Sequence, residues 1–392
     1  MSHKLFTYTS LFTLTLIFSF AQAGYAATWD GTVKSTVEIN SSTANGPSLT
    51  NEDSFSFSLD NIGDLNNDGV EDLVVGAPFD DEGGTNRGAV HILFMNTDGG
   101  VDSTVEINDA TANGPVLANS DTFGWSVANI GDLNNDGVED LVVGAPFDDE
   151  GGTNRGAVHI LFMNTDGSVD LTIEINSSTA NGPSLANDDR FGYGVAGIGD
   201  LNNDGVEDIA VGAPYDDEGG SANGVIHILF MNTDGSVDST VEINDATANG
   251  PVLDDAQDIL GTDIANIGDL DGDGVQDLAV GAANSEAVHI LFMNTDGSLN
   301  GAAKINSSTD NGPVTAAGAW FGFQVSTVGD LNGDGVVDIA VGAHIDDVTG
   351  TDRGAIHIIY LNTDGSVVES IRIDDAVTNG PTLSNLDAFG VS

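Results

Sequence analysis

Residues 63–78 read Gly-Asp-Leu-Asn-Asn-Asp-Gly-Val-Glu-Asp-Leu-Val-Val-Gly-Ala-Pro, and this stretch decides the fold because it returns in register five times. Its leading aspartate recurs every 61 to 69 residues, as Asp64, Asp132, Asp200, Asp269 and Asp330. Each copy places oxygen-bearing side chains at loop positions 1, 3, 5 and 9, a glycine at position 6, and then a short apolar run. A fixed period of this kind predicts a repeat architecture.

The repeated loop has the donor pattern of a calcium site. Calcium takes six to eight oxygen ligands, and a glycine lets the loop reverse tightly enough to direct them at one centre. We predict as ligands the side chains at positions 1, 3, 5 and 9 and the backbone carbonyl at position 7. These are Asp64, Asn66, Asp68, Val70 and Asp72; Asp132, Asn134, Asp136, Val138 and Asp140; Asp200, Asn202, Asp204, Val206 and Asp208; Asp269, Asp271, Asp273, Val275 and Asp277; and Asp330, Asn332, Asp334, Val336 and Asp338. About five calcium ions are therefore expected.

An EF-hand does not fit the five loops. That motif places a glutamate at position 12, where this chain has valine in every copy: Val75, Val143, Val211, Val280 and Val341. A set of Asp-Gly turns that bind nothing is the alternative. Carboxylates packed at this density would repel one another without a cation, which favours the metal interpretation.

Four strand-like runs lie in each period, and no segment of the mature chain shows helical periodicity. In the second copy they are residues 123–130, 140–143, 157–162 and 171–175. The turn Asp166-Gly167 between the last two runs is a strong hairpin signal. Repeated groups of four short antiparallel strands predict an all-β protein, a β-propeller of four-stranded antiparallel blades. A β-helix is the alternative, but its repeats are much shorter.

The repeat also resembles a known family. In the second copy Phe123-Gly124 precedes the acidic loop, and Gly144-Ala145-Pro146 follows it. This order resembles the FG-GAP repeat of the integrin α-subunit propeller and its bacterial relatives. The motif departs from the pattern at Phe55-Ser56, Leu260-Gly261, Gly281-Ala282-Ala283 and Gly342-Ala343-His344. The resemblance implies structural calcium, no enzyme activity, and binding or adhesion to an extracellular protein or glycan.

Five complete blades are predicted, at residues 53–108, 121–176, 189–244, 257–306 and 319–374. Residues 29–40 match only the outermost part of a blade, and residues 387–392 match only the start of one. Together they form a predicted partial blade. Integrin-like propellers have seven blades, so a fragment of a seven-bladed propeller is an open alternative.

Export is predicted from the amino terminus. Lys4, the apolar residues 11–20 and the Ala21-Gln22-Ala23 cleavage pattern indicate a signal peptide over residues 1–23, which leaves 24–392 as the propeller. No later stretch is long and apolar enough to span a bilayer, so we predict a secreted or cell-surface protein. Its 62 acidic and 8 basic residues make nucleic acid and anionic membranes poor partners.

Two further repeated features are interpreted as structural. The acidic segment 80–82 and its copies at 148–150 and 216–218 are predicted to be solvated loops, because a catalytic site needs unlike groups converging at one place. A weaker alternative is that these loops gather on one face of the propeller to hold a partner or further cations. Five histidines at one strand position are predicted to be packed in the sheets, since one per blade holds them apart: His91, His159, His227, His289 and His357. Two other functions stay open: the propeller part of a larger secreted hydrolase or lipase, and a passive structural repeat array.

Overall fold

The computed structural model describes residues 14–17, 36–50, 52–217, 223–253, 258–377, 381, 383 and 388–390. Within them the secondary structure consists of β-strands and one short 3-10 turn at Ala283–Ser285. Five four-stranded antiparallel sheets form a five-bladed β-propeller. The predicted all-β propeller with four-stranded blades is therefore confirmed.

The four strands of each blade are consecutive in the chain and pair in that order. A two-stranded sheet pairs β1 (Leu14–Ile17) with β2 (Thr36–Ile39). Blade 1 comprises β3 (Ser58–Asn61), β4 (Leu73–Ala77), β5 (Ala89–Met95) and β6 (Val101–Ile107). Blade 2 comprises β7 (Val127–Asn129), β8 (Leu141–Ala145), β9 (Ala157–Met163) and β10 (Val169–Ile175). Blade 3 comprises β11 (Val195–Gly199), β12 (Asp208–Ala213), β13 (Val225–Met231) and β14 (Val237–Ile243). Blade 4 comprises β15 (Leu260–Gly268), β16 (Asp277–Ala282), β17 (Ala287–Met293) and β18 (Leu299–Ile305). Blade 5 comprises β19 (Val325–Gly329), β20 (Asp338–Ala343), β21 (Ala355–Leu361) and β22 (Val367–Ile373).

The Asn-Thr-Asp-Gly segments form the hairpins between the third and fourth strands. In blade 2 the Asn164 amide donates to the Ser168 carbonyl at 2.8 Å, and the Gly167 amide donates to the Asn164 carbonyl at 2.9 Å. The Ser168 hydroxyl donates to an Asp166 carboxylate oxygen at 2.6 Å, and this exposed side-chain hydrogen bond also stabilises the turn. The predicted Asp-Gly hairpin is confirmed, and it fixes the register of β10 on β9.

The core lies between neighbouring blades. One apolar cluster joins Val142 and Ile160 of blade 2 to Ile209 and Leu229 of blade 3, all fully buried. The third strand of each of the first three blades is buried at every residue. Such a strand packs on both faces, which accounts for its nearly continuous apolar sequence.

The first strands of the blades surround a central cavity of about 440 Å³. Side chains tie consecutive blades together around it. The Asn129 amide donates to Asp60 at 2.8 Å, the Val195 amide to the Ser126 hydroxyl at 3.1 Å, and the Val325 amide to Asp263 at 2.7 Å. Neighbouring inner strands are therefore fixed by polar contacts as well as by apolar packing.

The two ends of the described chain lie against the first and last blades. Ile39 of β2 is fully buried in a cluster with Phe55 and Leu93 of the first repeat. Phe389 forms a parallel bridge with Gly354 of blade 5, as Phe123 does with Gly88 of blade 1. Residues 29–35, 387 and 391–392 of the predicted partial blade lie outside the described residues. The predicted leader 1–23 also lies outside them, apart from β1, and stays a prediction.

Candidate metal centre

The five acidic loops connect the first and second strands of their blades, so all of them lie at the same end of the propeller. Two backbone positions in each loop have positive φ. In the second loop these are Asn135, at 62°, and Gly137, at 91°. A Cβ at Gly137 would meet nothing within 4 Å, so the glycine is required by the left-handed backbone rather than by space.

The side chains at positions 1, 3 and 5 fold inward over this backbone. In the second loop the two carboxylate oxygens of Asp132 accept the amides of Asp136 and Gly137, each at 2.8 Å. Asn134 Oδ1 also accepts the Asp136 amide at 2.8 Å, and Asp136 Oδ1 accepts the Val138 amide at 2.9 Å. Because each oxygen carries more than one acceptor site, these bonds orient the side chains and still leave lone pairs for a cation.

The fourth loop brings three carboxylates together directly. One carboxylate oxygen from each of Asp269, Asp271 and Asp273 lies within 4.8 Å of the other two. The other four loops have asparagine at position 3, whose amide nitrogen donates to the position-5 carboxylate, as from Asn134 to Asp136 at 2.9 Å. That amide removes one negative charge from the loop and keeps an oxygen donor.

The position-9 aspartate joins the loop to the rest of the blade. Asp140 is fully buried; its Oδ1 accepts the amide of Met163 at 3.0 Å, and its Oδ2 accepts that of Leu133 at 3.1 Å. The bond to the last residue of the third strand recurs in every blade, from Met95, Met231, Met293 and Leu361 to Asp72, Asp208, Asp277 and Asp338. One carboxylate thus holds three parts of the blade in place.

The electrostatics of the loops favour a bound cation. Burial raises the pKa of Asp140 to about 7, and the nearby carboxylates of Asp136 and Asp132 raise it further, while the Met163 amide opposes the shift. Burial likewise raises the pKa of Asp208 to about 7 and that of Asp277 to about 6. Ionised carboxylates held this close to one another are costly without a compensating positive charge.

The residues present fit a calcium ion. Every donor in the loops is an oxygen, as a hard cation requires. In the first loop Asp72 Oδ2 is buried and has no hydrogen-bond partner, which leaves it available to a metal. In the fourth loop the structure brings together the predicted carboxylates at positions 1, 3 and 5, while metal ligation by the position-9 aspartates stays a prediction. Ligation by the position-7 carbonyl stays a prediction.

The variants Asp140→Ala and Asp136→Asn should separate the structural and the ion-binding roles of the second loop. In excess chelator Asp140→Ala should still cost about 2 to 4 kcal/mol, because two buried amides lose their acceptor. Asp136→Asn keeps its acceptor oxygen and is exposed, so in chelator its free energy of unfolding should stay within about 0.5 kcal/mol of the parent. Urea unfolding with and without calcium measures both, and equal losses in chelator would contradict this division.

The acidic segments at the other end of the blades match the prediction only in part. Asp81, Glu82, Asp149 and Glu150 are exposed, as in a solvated loop, whereas Asp80 and Asp148 are buried, 4% and 5% exposed. Asp148 accepts the Glu150 amide at 2.6 Å, so the carboxylate closes the turn after the second strand and is covered by it. The acidic composition of the segment did not suggest that its first aspartate is buried. The one sequence signal for this role is that the aspartate recurs four residues after the strand glycine, as Asp148 does after Gly144.

The five histidines are packed in the sheets as predicted, each no more than 1% exposed. His159 lies edge-to-face on Phe123 of the Phe-Gly motif, with ring centroids 5.3 Å apart. His91, His227 and His357 make the same contact with Phe55, Phe191 and Phe321. This contact gives the phenylalanine of the motif a defined packing role.

Comparisons with known proteins agree with this architecture. The FG-GAP repeat family matches residues 61–93, 123–161 and 191–229, and an FG-GAP-like repeat family matches residues 269–341. Human integrin alpha-6 is 38% identical over 186 residues, which cover 46% of this chain and 14% of that protein. Integrin alpha-PS5 of Drosophila melanogaster is 34% identical over 169 residues, which cover 43% of this chain and 16% of that protein. The matched region is thus less than a fifth of either relative.

Among solved structures, that of a putative 6-phosphogluconolactonase from Bacteroides uniformis has a TM-score of 0.44 at 14% identity, covering 86% of this chain and 78% of that one. A likeness this distant carries no argument about function. In the part of the chain that the structure describes, no helix has the length and apolar character needed to cross a membrane.

Proposed function

Because this chain is an FG-GAP repeat protein with an integrin-α-like β-propeller, we propose that it is exported and acts outside the cell as a calcium-stabilised binding or adhesion module. The observation that carries the proposal is the recurrence of one oxygen-rich loop in all five blades. Its partner is an extracellular protein or glycan, and the chain has no enzyme activity of its own. The net charge of −54 disfavours nucleic acid as the partner.

Calcium acts as part of the scaffold rather than at the partner's surface. Each loop is bonded through its position-9 aspartate to the end of the third strand, so ligation energy becomes folding energy for the whole blade. Blade 4 supports this role. Its connection between the second and third strands is reduced to the turn Ala283–Ser285, yet its cation loop retains Asp269, Asp271, Asp273 and Asp277.

The partner-binding surface lies at the end of the propeller opposite the calcium loops. Connections between the second and third strands lie there, and they differ among blades while the calcium loops hardly vary. Blade 4 has the short turn, and blade 5 replaces Asp-Asp-Glu with Asp346-Asp347-Val348. Variation at one end of a fixed scaffold is what selective binding requires.

Export is tested on the full chain with its own amino terminus, expressed in a secreting host. We expect protein in the medium, with mass spectrometry giving a mature amino terminus at Gly24. Retention of the uncleaved chain inside the cells would contradict the proposal.

Binding is tested by applying the purified, labelled chain to arrays of glycans and extracellular matrix proteins in calcium buffer. We expect a selective signal that disappears with EGTA and returns with calcium. Asp136→Asn, in saturating calcium, is the matched control and should bind as the parent does, because its loop lies at the other end. Signal no higher than that of an unrelated acidic protein would contradict a binding role and favour a passive repeat array.

A further inference from the structure

Arg190 is an arginine without an ionic partner in a strongly acidic chain. It lies directly before Phe191-Gly192, in the connection that leads into blade 3, at the end of the propeller opposite the calcium loops. Among the described residues its guanidinium forms no ion pair and no hydrogen bond, and its Nε is buried without an acceptor. Other arginines at this end are paired, as Arg87 is with Asp109. Arg190 therefore has donors to offer to a ligand.

Two aromatic rings from neighbouring blades hold the Arg190 guanidinium in place. Its Cζ lies 4.1 Å from the ring centroid of Tyr215 and 4.7 Å from that of Phe147. Phe147 follows the second strand of blade 2, and Tyr215 follows the second strand of blade 3. A cation–π contact engages the positive charge and leaves the N–H donors without an acceptor. Because Arg190 is only half-buried, its two Nη atoms reach the surface.

The position of Arg190 combines a constant backbone with a variable side chain. Its φ is 58°, in the left-handed region that residues other than glycine rarely adopt. The equivalent residues of the other repeats have φ between 52° and 58°, and they are Ser54, Thr122, Ile259, Trp320 and Ala388. A purely structural position would favour glycine or asparagine here. Six different side chains on one strained backbone instead indicate a position used for recognition.

The surroundings of Arg190 are arranged around Asn154 of the blade 2 connection. The Arg190 amide donates to the Asn154 carbonyl at 3.1 Å. The Asn154 amide donates to Asp149 Oδ1 at 2.8 Å, and its side-chain nitrogen donates to Asp188 Oδ1 at 2.7 Å. Both aspartates are exposed, and these bonds leave the Oδ2 atom of each as an acceptor. One small surface thus presents a cation together with two carboxylate acceptors.

A guanidinium held in this way is suited to a carboxylate. Its planar fork matches the two oxygens of a carboxylate, and such charge-assisted bidentate bonds are among the stronger hydrogen bonds in proteins. The exposed carboxylates of Asp149 and Asp188 would repel a ligand with many negative charges. The site therefore fits a ligand that has one carboxylate and an otherwise neutral body.

The two aspartates also favour a sugar over an acidic peptide. Sugar hydroxyls donate hydrogen bonds, so Asp149 and Asp188 can accept them beside the cation. An acidic peptide brings further carboxylates and carbonyl oxygens, with which these residues cannot pair. An acidic sugar supplies both kinds of group that the surface can bind.

We propose that Arg190 binds the carboxylate of an acidic sugar at the end of a glycan, such as a uronic or sialic acid, while Asp149 and Asp188 accept its hydroxyls. This inference rests on the proposed binding function and specifies its ligand class. Since the other repeats have a different residue at the position of Arg190, one such site is expected per chain.

The test compares the full parent chain with Arg190→Thr. Thr122 is the equivalent residue of blade 2 at the same φ of 58°, so the variant carries a side chain that this backbone already accommodates. The probes are oligosaccharides ending in sialic, glucuronic or galacturonic acid, each beside its carboxyl-reduced counterpart, in calcium buffer. We expect the parent to bind at least one acidic probe at least tenfold more tightly than its reduced counterpart. Arg190→Thr should lose this preference.

Two further variants separate recognition from charge and from folding. Arg190→Lys keeps the charge but lacks the planar fork, so it should weaken binding of the acidic probe about tenfold. Asp136→Asn, at the calcium end, should bind as the parent does. In calcium the melting temperatures of both Arg190 variants should lie within about 4 °C of the parent, since only a cation–π contact is lost.

The outcomes distinguish this inference from the proposed function. Equal binding of the acidic probe by the parent and by folded Arg190→Thr would overturn the inference and leave the binding function intact. Calcium bridging between the glycan and the acidic surface would give that result, because it does not need Arg190. A parent that binds acidic peptides and no acidic glycan would also overturn it. Absence of binding to every glycan and matrix protein would contradict the proposed function as well.

Discussion

Excess EGTA should lower the melting temperature of the full chain by about 10 °C or more. Each site that is saturated to about 100 times its dissociation constant stabilises the folded state by about 2.7 kcal/mol, and there are five loops. Each loop is bonded to the third strand of its blade, so losing the ion loosens the blade and not only a surface turn. A thermal melt followed by circular dichroism measures the shift.

Calcium added back in excess should restore the original melting temperature. Magnesium at the same concentration is the matched control and should restore little, because it demands a smaller octahedral site and gives up its water reluctantly. Melting curves that coincide with and without calcium would contradict a structural role for the ion. Equal rescue by both ions would show that charge screening alone accounts for the effect.

Gly144→Ala should cost at least about 3 kcal/mol of unfolding free energy. A Cβ at Gly144 in β8 would lie 1.9 Å from the carbonyl oxygen of Gly192, which opens the next repeat. The backbone cannot retreat easily, because the Gly144 amide donates to Ser126 at 2.8 Å and its carbonyl accepts from Gly124 at 3.1 Å. The glycine of Gly-Ala-Pro is thus required by a backbone contact with the glycine of the following Phe-Gly.

Gly301→Ala provides the matched control. Gly301 also lies within a strand, β18, but the nearest atom to an added Cβ is Cδ2 of Phe292 at an ordinary 3.6 Å. Restricting the unfolded chain there should be neutral or stabilising by up to about 1 kcal/mol. Chemical unfolding of both variants in calcium measures the difference. Equal stability of the two would refute the proposed contact between repeats.

The fold was predictable because the residues that make its defining contacts recur in each repeat. The Asp166-Gly167 turn, the strand sequences and the Gly144 position recur at fixed offsets, so one repeat predicts the others. The arrangement of the side chains at loop positions 1, 3 and 5 could be predicted equally well. Their hydrogen bonds span no more than five residues, as from the Gly137 amide to Asp132. Local interactions of this kind depend on sequence spacing alone.

The acidic residues at the other end of the blades were not predictable in the same way. Asp148 lies in the loop after β8, and Glu174 lies in β10, where the register of β9 with β10 places it opposite His159. The burial of Asp148 depends on the turn that covers it. Its acidic neighbours in the sequence suggest an exposed loop instead. The ion pair between Arg372 and Asp346 joins residues that are 26 positions apart, so sequence spacing alone does not indicate it.

Native mass spectrometry of the calcium-loaded chain tests the central claim most directly, because it counts the ions that the folded propeller retains. We expect five calcium ions per parent chain and four in the variant Asp132→Ala with Asp136→Ala, whose other loops are unchanged. A folded chain that retains no calcium, or a variant that retains as many ions as the parent, would contradict the account.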